Sequence, residues 1–321
     1  MHKAFQKMKS NSIKTLLKSL VSLFLVYVLF RMIDWNESWE LVRSVDFGFL
    51  FFYTFLLIVG IGISSYKWKQ LADFLGFTFP FGRYFQWYLA GTFVNNFFPS
   101  IVGGDTYRAF SLGKKNDNRG DAIASVLFDR YTGLVSMAIL AVLFSLFVLP
   151  NVREHFFWTI VLMGAFVGVV AQIFFLPGKK WSFFALLFKL FPKKAKNIAV
   201  SMEKFHDRTL TIKTFLLGSL FSLIGIGLAN FILFRAFGVS FELVDFLSVI
   251  FFINIISAIP LSINNIGVKE WAYFIFFGYL GIAPEISVTV ALVSRFVQMI
   301  ISLFGVPLFL WERKKEKSRI Q

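Results

Sequence analysis

Apolar residues along this chain do not alternate with polar ones. They run on, and a run of about 20 is what a helix needs to cross the roughly 30 Å hydrocarbon layer of a bilayer. Six runs reach that length: Thr15 to Ile33, Phe47 to Tyr66, Ala122 to Leu149, Phe156 to Leu176, Thr214 to Phe237 and Ile286 to Trp311. Two more are apolar but interrupted. Phe81 to Leu112 is broken between Pro99 and Asp105, a stretch that contains Gly103 and Gly104. Leu243 to Leu280 is broken between Pro260 and Gly267, which contains Asn264 and Asn265. Proline removes a backbone donor, and Gly or Asn accepts left-handed backbone, so each break ends one half-helix and lets another start. The pattern predicts an all-α polytopic membrane bundle with six full spans and two re-entrant broken-helix pairs.

Composition agrees with that class. The 321 residues are 57% hydrophobic with a mean hydropathy of +0.70, and 16% are charged, against about 25% in soluble domains. Without cysteine there is no disulfide framework, thiolate nucleophile or thiolate metal site, and His2, His155 and His206 lie far apart. No metal and no cofactor are expected. The first run follows Lys3, Lys7, Lys9, Lys14 and Lys18 as in a signal peptide, but the residues after it, Phe30 to Trp35, are not the small ones a cleavage site needs. It is read as a retained span.

The net charge of +15 does not require nucleic acid, because loop lysines and arginines account for it. With the N-terminus in the cytoplasm, 26 of the 33 Lys and Arg fall on the inner side: in the leader, at Lys67, Lys69 and Arg83, at Arg108, Lys114, Lys115 and Arg119, from Lys179 to Lys213, and in the tail. The outer side receives Arg31, Arg43, Arg153, Arg235 and Lys269, while Arg130 and Arg295 fall within the membrane. This satisfies the positive-inside rule and predicts a multi-pass protein of the cell membrane with both termini cytoplasmic. Within the loop 178–213, bases interleave with Trp181, Phe183, Phe184 and Phe188, as in an amphipathic helix lying on an anionic leaflet. Residues 37–43 read as a short surface helix outside.

The two breaks match each other. Nine residues beyond Pro99 stands Arg108 and nine beyond Pro260 stands Lys269; Gly103-Gly104 corresponds to Asn264-Asn265. The next long helix of each half carries an arginine, Arg130 or Arg295, at an offset of 165 residues against 161 for the prolines. One transmembrane domain built of two halves, 13–150 and 151–311, is expected. In the charge-derived orientation the matched segments run oppositely, an inverted-topology repeat of the kind that supports alternating access. Arg130 lies about 13 Å deep at 1.5 Å per residue, and Arg295 is similarly deep from the other side. A charge at that depth costs at least about 2.5–3.5 kcal/mol on a lipid face and is normally turned to a partner or a wet cavity. Half-helix N-termini suit an anionic head group, so Asn95, Gly103, Gly104, Asp105, Arg108, Asp129, Arg130, Asn264, Asn265, Lys269, Glu270 and Arg295 form the candidate substrate site. Asp105, Asp129 and Glu270 are expected to pair with the arginines when it is empty.

The segments Asn95 to Arg108, Phe128 to Gly133 and Ile259 to Glu270 resemble the lysylphosphatidylglycerol synthase transmembrane region family, also described as flippase-like. In its first motif asparagine, proline, paired glycines, aspartate and arginine follow in order. Where that family usually shows Gly-Gly and Arg in the second motif, this chain has Asn264-Asn265 and Lys269, and Asp129 stands where Glu is common. The resemblance implies a protein of a bacterial or archaeal membrane that translocates lipid or handles a lipid-linked intermediate. The alternatives are a membrane-embedded lipid or polyisoprenoid-linked transferase and a non-transporting partner of a lipid-modifying enzyme. Ten residues follow Trp311, so no soluble aminoacyl-transfer domain and no synthase activity are expected. The expected partners are membrane lipids with anionic head groups and not nucleic acid, with a lipid-modifying enzyme and self-association left open.

The orientation is testable because single cysteines are unambiguous in a Cys-free chain. Lys115→Cys should be labelled from the cytoplasmic side and Asn36→Cys from outside; the reverse pattern would sink the topology.

Overall fold

The structure, a computed structural model, describes residues 20–98, 103–116, 118–147, 200–202, 204–205, 207–258 and 262–311. Every regular element among them is helical. In chain order these are α1 (Leu20–Met32), α2 (Trp35–Arg43), α3 (Phe47–Phe74), α4 (Phe81–Phe97), α5 (Gly103–Asn116), α6 (Arg119–Ser145), α7 (Arg208–Ala236), α8 (Leu243–Ala258), α9 (Val268–Gly278) and α10 (Pro284–Leu303). A short helical segment over 306–311 follows. Among the described residues α3, α6, α7 and α10 are long and apolar enough to cross a membrane. The expected span Phe156 to Leu176, both prolines of the breaks and most of the loop 178–213 lie outside the described residues.

Helix starts follow local chemistry. Asp34 opens α2 by accepting the N–H groups of Asn36 at 2.8 Å and Glu37 at 3.3 Å, and Asp46 does the same for Gly48 at 2.7 Å and Phe49 at 3.3 Å at the head of α3. Asp207 accepts from Leu210 at 3.0 Å to start α7. Each satisfies N–H groups that have no partner inside the helix.

Helix ends depart from the hydropathy reading in two places. The third helix does not stop at Tyr66 but runs to Phe74, because Lys67 does not leave the bundle. Its ammonium is buried against a carboxylate. The last run is not continuous to Trp311, since α10 stops at Leu303 and the chain turns at Phe304 and Gly305. A Cβ on Gly305 would stand 2.5 Å from the backbone of Leu89 and Ala90, so this turn closes on α4 where no side chain fits.

The sixth helix is the hub, packing against α3, α5, α7 and α8. Beside it α3 and α7 cross at glycines: a Cβ on Gly60 would lie 2.7 Å from the Cα of Gly225. Around that crossing, from Ser222 to Leu228, α7 widens into a π-helical turn, a feature frequently found at functional sites. Aromatic side chains fill one end of the core, where Phe234, Phe246, Tyr273 and Phe277 stack from α7, α8 and α9. Trp68, Tyr84 and Trp87 fill the other. Large apolar groups such as Phe47, Phe51, Leu216 and Phe296 are exposed, as lipid-facing positions require. The end of the basic loop is docked. Met202 and Phe205 pack on Leu71, Ala124 and Phe128, and Lys204 binds Asp121 at 2.8 Å.

The glycine crossing sets a discriminating test. Gly60→Leu should cost about 1–3 kcal/mol of stability by overpacking, whereas Gly62→Leu, with nothing within 4 Å of its Cβ position, should leave the melting temperature in detergent unchanged.

Candidate functional site

Among the described residues two polar cavities open inside the bundle. The first, about 290 Å³, is lined by Lys67 of α3, Tyr88 and Asn95 of α4, Gly104, Asp105 and Arg108 of α5, and Asp129 and Arg130 of α6. Asp129 is its anchor. It takes Lys67 at 3.1 Å on one oxygen and Arg108 at 3.1 Å on the other, and all three side chains are almost fully buried. The Lys67 ammonium also donates to the Asp129 carbonyl at 2.7 Å. Arg108 reaches Asp105 at 2.7 Å with its second nitrogen, and Arg130 holds the remaining oxygen of Asp105. Arg108 is further framed by the rings of Trp68 and Tyr88, 5.0 Å and 4.4 Å from its guanidinium carbon. Cation–π contact of this kind is strongest where water is excluded. Among the described residues three cations thus meet two carboxylates, an excess of one positive charge. Arg130, with a side chain 45% exposed, carries it to the open side.

Glycine decides how the first break closes. A Cβ on Gly104 would overlap the carbonyl group of Gly91, and one on Gly91 would sit 3.0 Å from the Gly104 oxygen, so α4 and α5 touch backbone to backbone. The close approach at Gly104 is therefore to α4. Asn95 accepts the Gly104 N–H at 2.8 Å, which occupies a donor that the half-helix would otherwise present to an anion. Gly103 opens α5.

The second cavity, about 380 Å³, is lined from the other half of the chain by Asn230, Asn254, Ser257, Asn264, Asn265, Lys269, Arg295 and Gln298, with Asn96 reaching in from α4. Arg295 donates to Glu270 at 2.8 Å and to the carbonyl oxygens of Asn264 at 3.1 Å and Asn265 at 3.2 Å. Both asparagines have positive φ, 50° and 54°, the left-handed geometry that Asn tolerates better than other side-chain-bearing residues. Glu270 also accepts the Gly267 N–H at 2.8 Å, capping α9. Lys269 donates to Ser294 at 3.2 Å, and Ser294 further receives Tyr53 and Gln298, each at 2.9 Å. Here, among the described residues, two cations face one carboxylate. The two cavities share Tyr88, Thr92 and Phe221 as a common wall, and the Asn264 amide donates to the Asn96 carbonyl at 3.3 Å across the two halves.

Residues 15–305 match the family described as Lysylphosphatidylglycerol synthase TM region. The chain belongs to that family. It is also similar to a UPF0104 membrane protein of Methanothermobacter thermautotrophicus, 22% identical over 299 residues that cover 84% of this chain and 87% of the relative. No solved structure matches.

This member of the lysylphosphatidylglycerol synthase TM region family brings the twelve residues singled out in sequence into two groups. Asn95, Gly104, Asp105, Arg108, Asp129 and Arg130 surround the first cavity, with Gly103 beside them. Asn264, Asn265, Lys269 and Arg295 line the second, with Glu270 behind Arg295. Sequence reading missed Lys67 and placed it with the loop charges, as it also did with Arg108 and Lys269. Gly60, Ser64 and Lys67 recur every three or four residues on α3, a small and polar stripe that marks a helix face turned inward. Tyr88, Asn96, Ser294 and Gln298 carried no comparable signal.

Asp129→Ala would leave Lys67 buried without a carboxylate and should cost about 3–5 kcal/mol, read as a lowered melting temperature in detergent. Combining Asp129→Leu with Lys67→Met should recover part of that loss.

Proposed function

We propose that the chain is a flippase-like transporter that moves an anionic phospholipid or lipid-linked intermediate across the bilayer. The observation that carries this reading is the pair of adjoining polar cavities, each with an excess of positive charge among the described residues and sharing Tyr88, Thr92 and Phe221 in their linings. In the proposed mechanism the head-group phosphate replaces a carboxylate as the partner of Arg130 in one cavity and of Arg295 in the other, where Lys269 stands beside it. The wall opens between them, and hydrocarbon chains stay in lipid throughout. An arginine fork suits phosphate because its donors are planar and bidentate.

The wider architecture belongs to the same proposal. Six full spans, re-entrant pairs at α4–α5 and α8–α9, one domain of two halves related by inverted topology, and cytoplasmic termini would place the first cavity toward the cytoplasmic leaflet and the second toward the outer one. Membership of the family and the four long apolar helices support a multi-pass membrane protein on which this scheme rests. Rocking of one half against the other then exposes the cavities in turn. The expected surroundings are a cell membrane and its lipids, with a lipid-modifying enzyme as a candidate partner.

Reconstitution into liposomes with head-group-labelled lipids and a leaflet-accessibility readout tests the proposal. Arg130→Ala leaves Asp105 paired to Arg108 and should keep the fold. It should still cut translocation to about a tenth or less, because a charge-assisted contact with phosphate accounts for about 1.5–3 kcal/mol. Arg295→Ala should lose translocation too, and some stability with it, since Glu270 and two carbonyl groups lose their donor. Arg→Lys should rescue poorly at either position. Wild-type lipid movement in both alanine variants would remove the head-group role of the arginines.

A further inference from the structure

A third cavity, about 260 Å³, is a groove between α5 and α6, walled by Thr106, Ala109, Phe110, Ile123, Val126 and Leu127. It differs in kind from the two polar cavities because its walls are almost wholly apolar. Phe110 and Leu127 stand 40% and 41% exposed at its edges, so it opens outward, where a transmembrane bundle meets lipid. Charged residues mark its two ends: Arg119, at the start of α6, and Asp105, which also lines the first polar cavity. Along α6 the residues Arg119, Ile123, Leu127 and Arg130 recur every three or four positions and so share one face. At 1.5 Å per residue the two arginines are about 16 Å apart, one at the helix end and the other deep. An apolar track with a cation at its shallow end has the polarity of a lipid molecule, and the end of a membrane helix is the depth at which lipid phosphates lie.

We infer that this groove is a lateral loading site, in which one hydrocarbon chain of an anionic lipid lies between α5 and α6 with its phosphate at Arg119. The lipid keeps its ordinary orientation in the leaflet that meets the α5–α6 connection. Its chain runs along Ile123 and Leu127 toward Asp105, the residue that forms part of the cavity wall beyond. A lipid so held is already aligned with the cavity that receives the head group, and Arg130 is the next cation on the same helix face. The inference rests on the reading of this chain as a lipid transporter and adds where the substrate leaves the bilayer. Selectivity at this step comes from charge: the walls accept any hydrocarbon chain, and Arg119 favours those attached to an anion.

The test uses the full chain in nanodiscs and two photoreactive probes with the same diazirine-bearing acyl chain, one a phosphatidylglycerol and the other a neutral diacylglycerol. The wild-type protein should be labelled within Thr106 to Phe110 and Ile123 to Leu127 about fivefold more by the anionic probe, as expected for one basic residue acting on lipid phosphate near the surface. Arg119→Gln should abolish that preference, and Leu127→Trp should reduce labelling by both probes. Equal labelling of the wild type by the two probes would mean ordinary boundary lipid and would overturn the inference. So would a preference that persists in Arg119→Gln. Labelling is read at equilibrium and needs no translocation, so its outcome is separate from that of the leaflet assay. The wild-type comparison stands whether or not a variant folds.

Discussion

A carboxylate inside a membrane bundle is tolerated where cations reach both of its oxygens, and Asp129 is the point at which three helices meet that requirement. Lys67 comes to it from α3 and Arg108 from α5, so one buried group ties together α3, α5 and α6. Without it Lys67 would be charged and unpaired in a medium of low dielectric and Arg108 would keep only Asp105, a loss more costly than the pair itself is stabilising. The chain of pairs continues through Asp105 to Arg130. The inner members are locked and the outermost one is accessible. This gradient from buried to exposed charge makes the first cavity a place where an anion can exchange.

Close backbone contact is the second constraint. Gly104 against Gly91 joins the two halves of the first broken segment, Gly60 against Gly225 joins α3 to α7, and Gly305 lets the chain after α10 close on α4. In a lipid solvent helices gain little from burying apolar surface, so small residues that let backbones approach are what hold them together. At the second break asparagine replaces glycine. The left-handed backbone survives, and the carbonyl groups of Asn264 and Asn265 become acceptors for Arg295. The two cavities thus hold an arginine in different ways. Carboxylates and aromatic rings hold Arg108; one carboxylate and two backbone carbonyls hold Arg295.

Both solutions place cation-rich polar space on either side of Tyr88, Thr92 and Phe221, and Phe221 directly precedes the π-helical turn of α7. That turn and the Gly60–Gly225 crossing lie together at the middle of α3 and α7. Phe221 is therefore mounted where α7 departs from regular helix and side chains are small, while Tyr88 and Thr92 come from α4.

Much was legible in sequence because a bilayer imposes length and polarity on each segment separately. The four long apolar helices among the described residues, the left-handed asparagines and the need of Arg130 and Arg295 for polar partners all follow from local composition. Arg130 and Arg295 could be singled out because an intramembrane charge is expensive wherever the chain puts it. Lys67 could not be read this way. At the edge of an apolar run a lysine is equally compatible with a loop, and only the arrival of Asp129 from 62 positions away makes burial favourable. The end of α10 at Leu303 likewise depends on what Gly305 meets on α4. Tertiary structure also decided that Asn95 and Glu270 would cap α5 and α9 and that Tyr88 would line both cavities, because pairing energies in a low dielectric depend on distances that hydropathy along the chain does not contain.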